Sequence, residues 1–240
     1  KANIGKSFRV PIPKELGTDG VNYHIFRYEK GNPNLNPEES YQLDAGIHWG
    51  NDRLTIQFDP YLNYFPNYIY MNPTPNYYEG LQWYYYTQSR VIRCGFELQA
   101  DWKILPSLSA EFKGEYLYAE QLSGEKKGYT LPFSTPWSAD ATLRYAFCRK
   151  NVGNEGFVAM NMHVTGRQNN IVPPEKPTPG YYTLNLTAGK DFAFGERTLR
   201  LSLNAENLLN RKYYDHTSFY RLIDVPEPGR NVALMATFEF

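Results

Sequence analysis

The 240-residue chain has no apolar run approaching the ~18–20 residues that a membrane-spanning helix requires, so it holds no candidate for one. Neither sign of charge is in excess: 25 Lys and Arg stand against 25 Asp and Glu, and the isoelectric point is near 7.1. Nothing in that balance argues for nucleic acid or for steering to an acidic surface. Cysteine is scarce, with only Cys94 and Cys148, and no His-x-x-His or Cys-x-x-Cys spacing marks a closed metal site. There is no G-x-S-x-G, P-loop or dinucleotide fingerprint. Glu38 and Glu39 are neighbours that point opposite ways in an extended chain, so they form no acid/base dyad. Neither an enzyme nor a resident cofactor is expected. Lys1-Ala2-Asn3-Ile4-Gly5 has no apolar core of a secretory leader, so a leader was removed or the chain is an internal piece.

What the chain has in quantity is alternation. Tyr41, Leu43, Ala45, Ile47 and Trp49 take one phase against Gln42, Asp44, Gly46 and His48. Ile92, Cys94, Phe96, Leu98, Ala100, Trp102 and Ile104 alternate with Arg93, Gly95, Glu97, Gln99, Asp101 and Lys103. The same pattern recurs over 54–64, 108–118, 140–147, 158–164, 182–188, 199–205 and 232–240. A strand has period two, so each segment carries one apolar and one polar face. Lys190 is the one charge expected in the apolar phase, near a strand end where its stem can reach an interface. Cys94 and Cys148 fall in opposite phases, which argues against a disulfide between them, and two free small side chains are expected. His48 and His163 take the polar phase and read as wall residues.

A soluble sandwich alternates too, and with 21 Tyr and four Trp a soluble carbohydrate-binding module stays open as an alternative. Three features favour a membrane barrel. The segment 91–103 exceeds the ~9–11 residues of a tilted membrane strand. Aromatics make up 16% of the chain and gather at strand ends, as at Tyr64, Tyr68, Tyr70 and 84–86, where interfacial girdles sit. Connections alternate between tight (50–52, 105–107, 195–196) and long (66–82, 119–136, 167–180, 211–229), as in outer-membrane barrels. A mean hydropathy of −0.58 is compatible with that, since half of each strand faces water. A passive porin shares this architecture and is the other alternative.

Phe8-Arg9-Val10-Pro11, then Glu15-Leu16, His24 and Gly31-Asn32-Pro33-Asn34-Leu35-Asn36-Pro37-Glu38 resemble the strand-end and loop signature of TonB-dependent outer-membrane receptors. Asn67-Tyr68-Ile69-Tyr70 with 84–88 and 95–97, and Glu206-Asn207-Leu208-Leu209-Asn210 with Tyr213-Tyr214-Asp215-His216, are similar to the family in the same order. The terminal strand, with Phe238 and Phe240, resembles the signal read by the barrel-assembly machinery. The prolines and Gly31 also have a plain physical reading, since they stop ladder pairing and order a turn.

The resemblance implies an all-β, antiparallel, up-and-down transmembrane barrel. About ten strands lie in residues 1–240, the first represented only by its end, as the carboxy-terminal part of a 22-stranded barrel. The plug that contacts TonB is absent from this stretch. It further implies location in the bacterial outer membrane, contact with its lipid, and energy-coupled uptake of a small metal-bearing ligand: iron-siderophore, haem or zinc. The loop from Val10 to Glu38 is then extracellular, with Arg9, His24, Tyr28 and Glu29 near the mouth and His216 in another outer loop. His24 is the candidate metal ligand, a neutral imidazole suited to zinc or haem iron.

Overall fold

The computed structural model describes residues 1–147 and 155–239. Strand β1 (Ala2–Arg9) leads into a short helix α1 (Pro13–Gly17) and a hairpin of β2 (Asp19–Asn22) and β3 (Arg27–Lys30). Then come β4 (Glu38–Ala45), β5 (Ile47–Gly50), β6 (Leu54–Tyr78), β7 (Leu81–Leu105) and β8 (Leu108–Gln121). The chain continues through β9 (Ser138–Phe147), β10 (Gly156–Thr165), β11 (Tyr181–Phe194), β12 (Arg197–Glu206), a 3-10 turn (Phe219–Ile223) and β13 (Asn231–Glu239). All described strands belong to one sheet, whose main path runs β1-β4-β6-β7-β8-β9-β10-β11-β12-β13. Neighbours on that path are antiparallel; β5 extends the edge of β4 along β6, and β3 docks parallel to β7. The path holds the ten strands expected. Its ends, β1 and β13, do not pair with each other, so the sheet is not closed.

Register aligns the apolar phases into one continuous band. Leu62 faces Cys94 and Cys94 faces Tyr118; Ala110 faces Leu143, Leu143 faces Met160 and Met160 faces Leu186. The band runs on through Leu186–Ala205, Ala188–Leu203, Leu203–Leu234 and Leu199–Phe238. No second sheet covers it among the described residues. Leu43, Trp102, Leu143, Met160 and Leu234 are exposed, Leu234 at 75%. Each such side chain left in water forgoes ~1.5–3 kcal/mol of burial, so the face requires an apolar surrounding. This removes the soluble sandwich.

Exposed rings bracket the band, with Tyr41, Tyr64, Tyr118 and Tyr182 towards one end and Trp49, Trp102 and Tyr145 towards the other. Ile92, opposite Tyr64, and Trp102, opposite Leu54, are ten residues apart on β7. That is about 33 Å along the strand, or about 25 Å of height at ~40° tilt, the height of an outer-membrane barrel's apolar band.

Four expectations need correction. The stretch 66–82 is not a loop: β6 and β7 continue as one long hairpin to a turn at Glu79-Gly80, both with positive φ, the backbone of a type I′ turn. The irregularity between Phe65 and Tyr68 inserts one residue and switches the side-chain phase, and that between Pro73 and Tyr77 inserts two and breaks the pairing without switching it; together they hid the strand from a period-two reading. Lys190 is not alone in the apolar phase, since Glu120 pairs with Ile92 and Lys6 with Tyr41. Both lie where strands outrun the band. The first strand is present over eight residues rather than as an end. The long-loop bounds shift slightly, to 122–137, 166–180 and 207–230.

The tight turns hold where expected. Asn51 closes one of them by accepting the amides of Arg53 and Leu54 on its Oδ1. His48 and His163 lie on the polar face, opposite Gln57 and Asp140. Cys148 and Phe240 lie outside the described residues. The buried core is small and sits at the long-loop end, in two clusters. Phe65, Tyr70, Val91, Ala119 and Leu131 form one; Leu35, Ile69 and Tyr86 form the other.

Candidate ligand site at the loop end

The segment from Val10 to Glu38 is fixed by the boxes singled out in the sequence. Pro13 occupies the first turn of α1, and Glu15 reaches back to accept the Ile12 amide at 2.9 Å, an N-terminal lock. Arg9 then joins three elements. Its Nη1 lies 2.8 Å from Glu15 Oε2, and its Nε lies 3.1 Å from Glu38 Oε1. Glu38 Oε2 also accepts the Ile69 amide at 2.7 Å. Gly31 is required by contact: a Cβ there would stand 2.7 Å from the Leu16 carbonyl carbon and the Gly17 nitrogen of α1. Leu16 and Leu35 carry the segment into the Ile69–Tyr86 cluster.

The predicted site residues are distributed unevenly. Arg9 is held by two carboxylates. Tyr28 stacks on Trp83 with centroids 5.0 Å apart and donates to Asp19 Oδ1 at 2.5 Å. Glu29 is 1% exposed and sits between Arg27 (2.9 Å) and Lys14 (2.7 Å). Burial alone would raise its carboxyl, but hydrogen bonds and charge from Lys14 and Arg27 outweigh that and hold it below the ordinary range. His24 lies exposed in the turn between β2 and β3, beside a shallow hollow with Asp19 and Glu29. No group of three or more His, Cys, Asp or Glu is placed to hold a metal among the described residues. His216 is not at the mouth surface: it is 1% exposed, with Nδ1 3.0 Å from Thr178 Oγ1 and Nε2 buried without a partner. Burial and then the Arg221 charge, opposed by Asp215, push it down to about 4.

The residues that join the loops are ones the sequence did not single out. Arg27 lies 4.9 Å over the Tyr84 ring and 5.3 Å over Phe219, which ties the first loop to β7 and to the 207–230 loop. Phe133, from 122–137, packs edge-on against Phe219 at 5.1 Å and beneath Arg221 at 4.9 Å. Arg221 Nη2 reaches Glu175 Oε1 of the 166–180 loop at 3.1 Å, and Arg221 Nε donates to the His216 carbonyl at 2.6 Å. Tyr84, at the centre, is fully buried. The Arg27-x-Glu29 spacing, two charges on one strand face, was the available signal for the first of these. Glu175 and Arg221 lie in separate loops and carry none.

Two cavities flank this junction. One of 300 Å³ is lined by Phe26, Tyr77, Tyr84, Glu175 and Arg221. One of 260 Å³ lies on the polar face, between Tyr68, Arg93, Leu117 and the 131–135 turn. A larger hollow of 1030 Å³ opens at the tight-turn end, among Arg53, Lys103, Arg144, Asp191 and Arg200. It is remote from every loop residue named above.

A family model described as TonB dependent receptor-like, beta-barrel, matches residues 1–208. Solved structures agree on the fold. The copper transporter OprC superposes with a TM-score of 0.77 at 20% identity, covering 96% of this chain and 35% of that one. The ferric yersiniabactin uptake receptor FyuA from Yersinia pestis gives 0.61 at 16% identity, covering 89% of this chain and 30% of that one. The pyoverdine receptor FpvA from Pseudomonas aeruginosa PAO1, bound to pyoverdine, gives 0.65 at 16% identity, covering 100% of this chain and 33% of that one. The chain thus spans about a third of the length of each of these structures. It belongs to the TonB-dependent receptors, outer-membrane β-barrels of Gram-negative bacteria, and forms a portion of their barrel.

Proposed function

We propose that this chain is barrel wall and outer loops of a receptor that imports a metal or metal chelate across the outer membrane, driven by TonB through a plug outside the present stretch. The observation that carries the reading is the junction at one end of the sheet, where segments 10–38, 122–137, 166–180 and 207–230 meet beyond an apolar band of membrane height. Loops tied to one another and to the long β6–β7 hairpin form a ligand-binding mouth rather than a set of independent surface turns. Similarity to receptors whose names specify copper, ferric yersiniabactin and pyoverdine supports a metal-bearing cargo. The barrel-assembly machinery would read the terminal strand through Phe238 and Phe240, and lipid would cover the band.

Within the mouth, the reading assigns metal contact to His24, supported by its exposure and by the engagement of its neighbours Tyr28 and Glu29 in packing and ion pairing. Arg9 and His216 act by holding the loops. A strain deleted for the full-length gene, grown under separate limitation of iron, zinc, copper, haem and siderophore, tests the uptake. A growth defect restored by the gene on one of these sources is expected; no defect on any source contradicts the reading. His24→Ala in the restored strain should weaken zinc- or haem-dependent growth and spare siderophore-dependent growth, at equal receptor level.

A further inference from the structure

The cavity of 260 Å³ on the polar face holds a charge that the described residues leave unanswered. Arg93 projects into it from β7, beside Leu117 and Ala119 of β8, with Tyr68 on one side and Phe133, Ser134 and Thr135 above. Arg93 Nε is buried and has no hydrogen-bond partner, as is the Oδ1 of its cross-strand neighbour Asn63. Among the described residues no carboxylate lies within ion-pair distance of Arg93, and no acidic residue lines the cavity. The other cation there, Arg27, is already paired with Glu29. A half-buried guanidinium without a counter-charge is costly, and native structures answer such groups with an acid, a ligand or water. Arg presents a planar fork that suits carboxylate and phosphate oxygens.

We infer that this cavity is an anion site, in which Arg93 receives a carboxylate or phosphate group of a small ligand. Its height in the sheet favours a ligand over a deeper partner. Arg93 follows Ile92, which faces Tyr64 of the ring belt on the loop side, and the 131–135 turn roofs the cavity directly. The site therefore lies just beneath the loops, where an incoming solute first meets the wall. Tyr68 and Thr135 line the same cavity with hydroxyl-bearing side chains, and Phe133 and Leu131 line it with apolar ones. The inference rests on reading the polar face as the lumen of a receptor.

The test is calorimetric titration of the full-length purified receptor with citrate, inorganic phosphate and, as a cation control, choline. Citrate or phosphate should bind and choline should not, and the stronger of the two anions identifies which oxygen group the cavity takes. Arg93→Gln should weaken anion binding by about ten- to a hundredfold, the loss expected for a charge-assisted hydrogen bond, and Arg93→Lys should weaken it less. Thr135→Asp, which leaves Arg93 in place and adds a negative charge beside it, should weaken binding comparably and serves if the Arg93 variants do not fold. Absence of anion binding to the wild type, or unchanged binding in these variants, would overturn the site. So would Arg93→Gln lowering the melting temperature with anion binding intact, because the guanidinium would then serve another part of the receptor. Failure of the uptake reading is distinguishable: the deletion strain would show no growth defect while Arg93-dependent anion binding persisted.

Discussion

Glu175 and Arg221, 46 residues apart in sequence, meet at 3.1 Å with side chains 1% and 7% exposed. The pair bridges the 166–180 and 207–230 loops, and the Phe133 amide donates to the same Glu175 oxygen at 3.0 Å. Breaking a buried pair strands one charge, at a cost of about 3–5 kcal/mol, whereas replacing both partners with apolar groups is often neutral. Arg221→Ala should therefore loosen both loops while the barrel stays intact. Hydrogen exchange should show lost protection across 166–180 and 207–230 in Arg221→Ala and substantial recovery in Glu175→Leu/Arg221→Met. Equal protection in wild type and Arg221→Ala would mean that aromatic packing holds the loops alone.

The buried imidazole of His216 makes the same closure sensitive to acid. Its folded value of about 4 lies below the ordinary 6.5, so the closed state keeps it neutral and any open state binds the extra proton. The closed state is fully favoured above about pH 6.5 and loses up to about 3 kcal/mol as pH falls to about 4. Glu175 works in the opposite sense: burial raises its carboxyl, against the Phe133 amide and the Arg221 charge, so protonation of Glu175 favours closure as pH falls. Asp215, adjacent to His216, also opposes the histidine's shift. Spin labels at Asn170 and Val225, both on the surface, should report a broader distance distribution at pH 5 than at pH 7.5. His216→Gln should flatten that dependence.

Gly31 offers a steric test of how the first loop is built. Gly31→Ala would place a methyl carbon 2.7 Å from α1 backbone, whereas Gly17 has nothing within 4 Å of an added Cβ. Overpacking against backbone costs roughly 1–3 kcal/mol. Limited proteolysis between Val10 and Glu38 should quicken several-fold in Gly31→Ala and stay near the wild-type rate in Gly17→Ala.

Period two made most of the wall legible in the sequence, because register forces cross-strand partners onto one face and charge is scarce on the apolar face, confined to strand ends such as Lys6, Glu120 and Lys190. Leu98 and Phe112, or Leu203 and Leu234, could be assigned to the apolar face from the alternation alone. The upper half of the β6–β7 hairpin could not, because two bulges and Pro66, Pro73 and Pro75 interrupt the pattern in a segment that is nevertheless paired. The loop junction was legible only in part. Arg9, Glu15 and Gly31 lie in a local box whose spacing reports local geometry. Arg27 over Phe219, and Arg221 on Glu175, depend on how four loops meet, which no local spacing encodes. His216, expected in an outer loop near the mouth, is buried within that loop, and the Tyr213-Tyr214-Asp215-His216 run suits a packed imidazole as well as a ligand site.

The claim on which the rest depends is that the apolar band faces lipid, and β7 tests it most directly. In full-length receptor reconstituted into bilayers, with Cys94 and Cys148 replaced by Ser, single spin labels would be scanned from Phe96 to Lys103. Labels at Phe96, Leu98, Ala100 and Trp102 should be reached by oxygen, and labels at Glu97, Gln99, Asp101 and Lys103 by a water-soluble quencher. Leu98→Arg should in addition cost ~2–4 kcal/mol near the midplane. Equal quenching at Phe96 and Glu97, with no alternation along the strand, would contradict the membrane-barrel assignment.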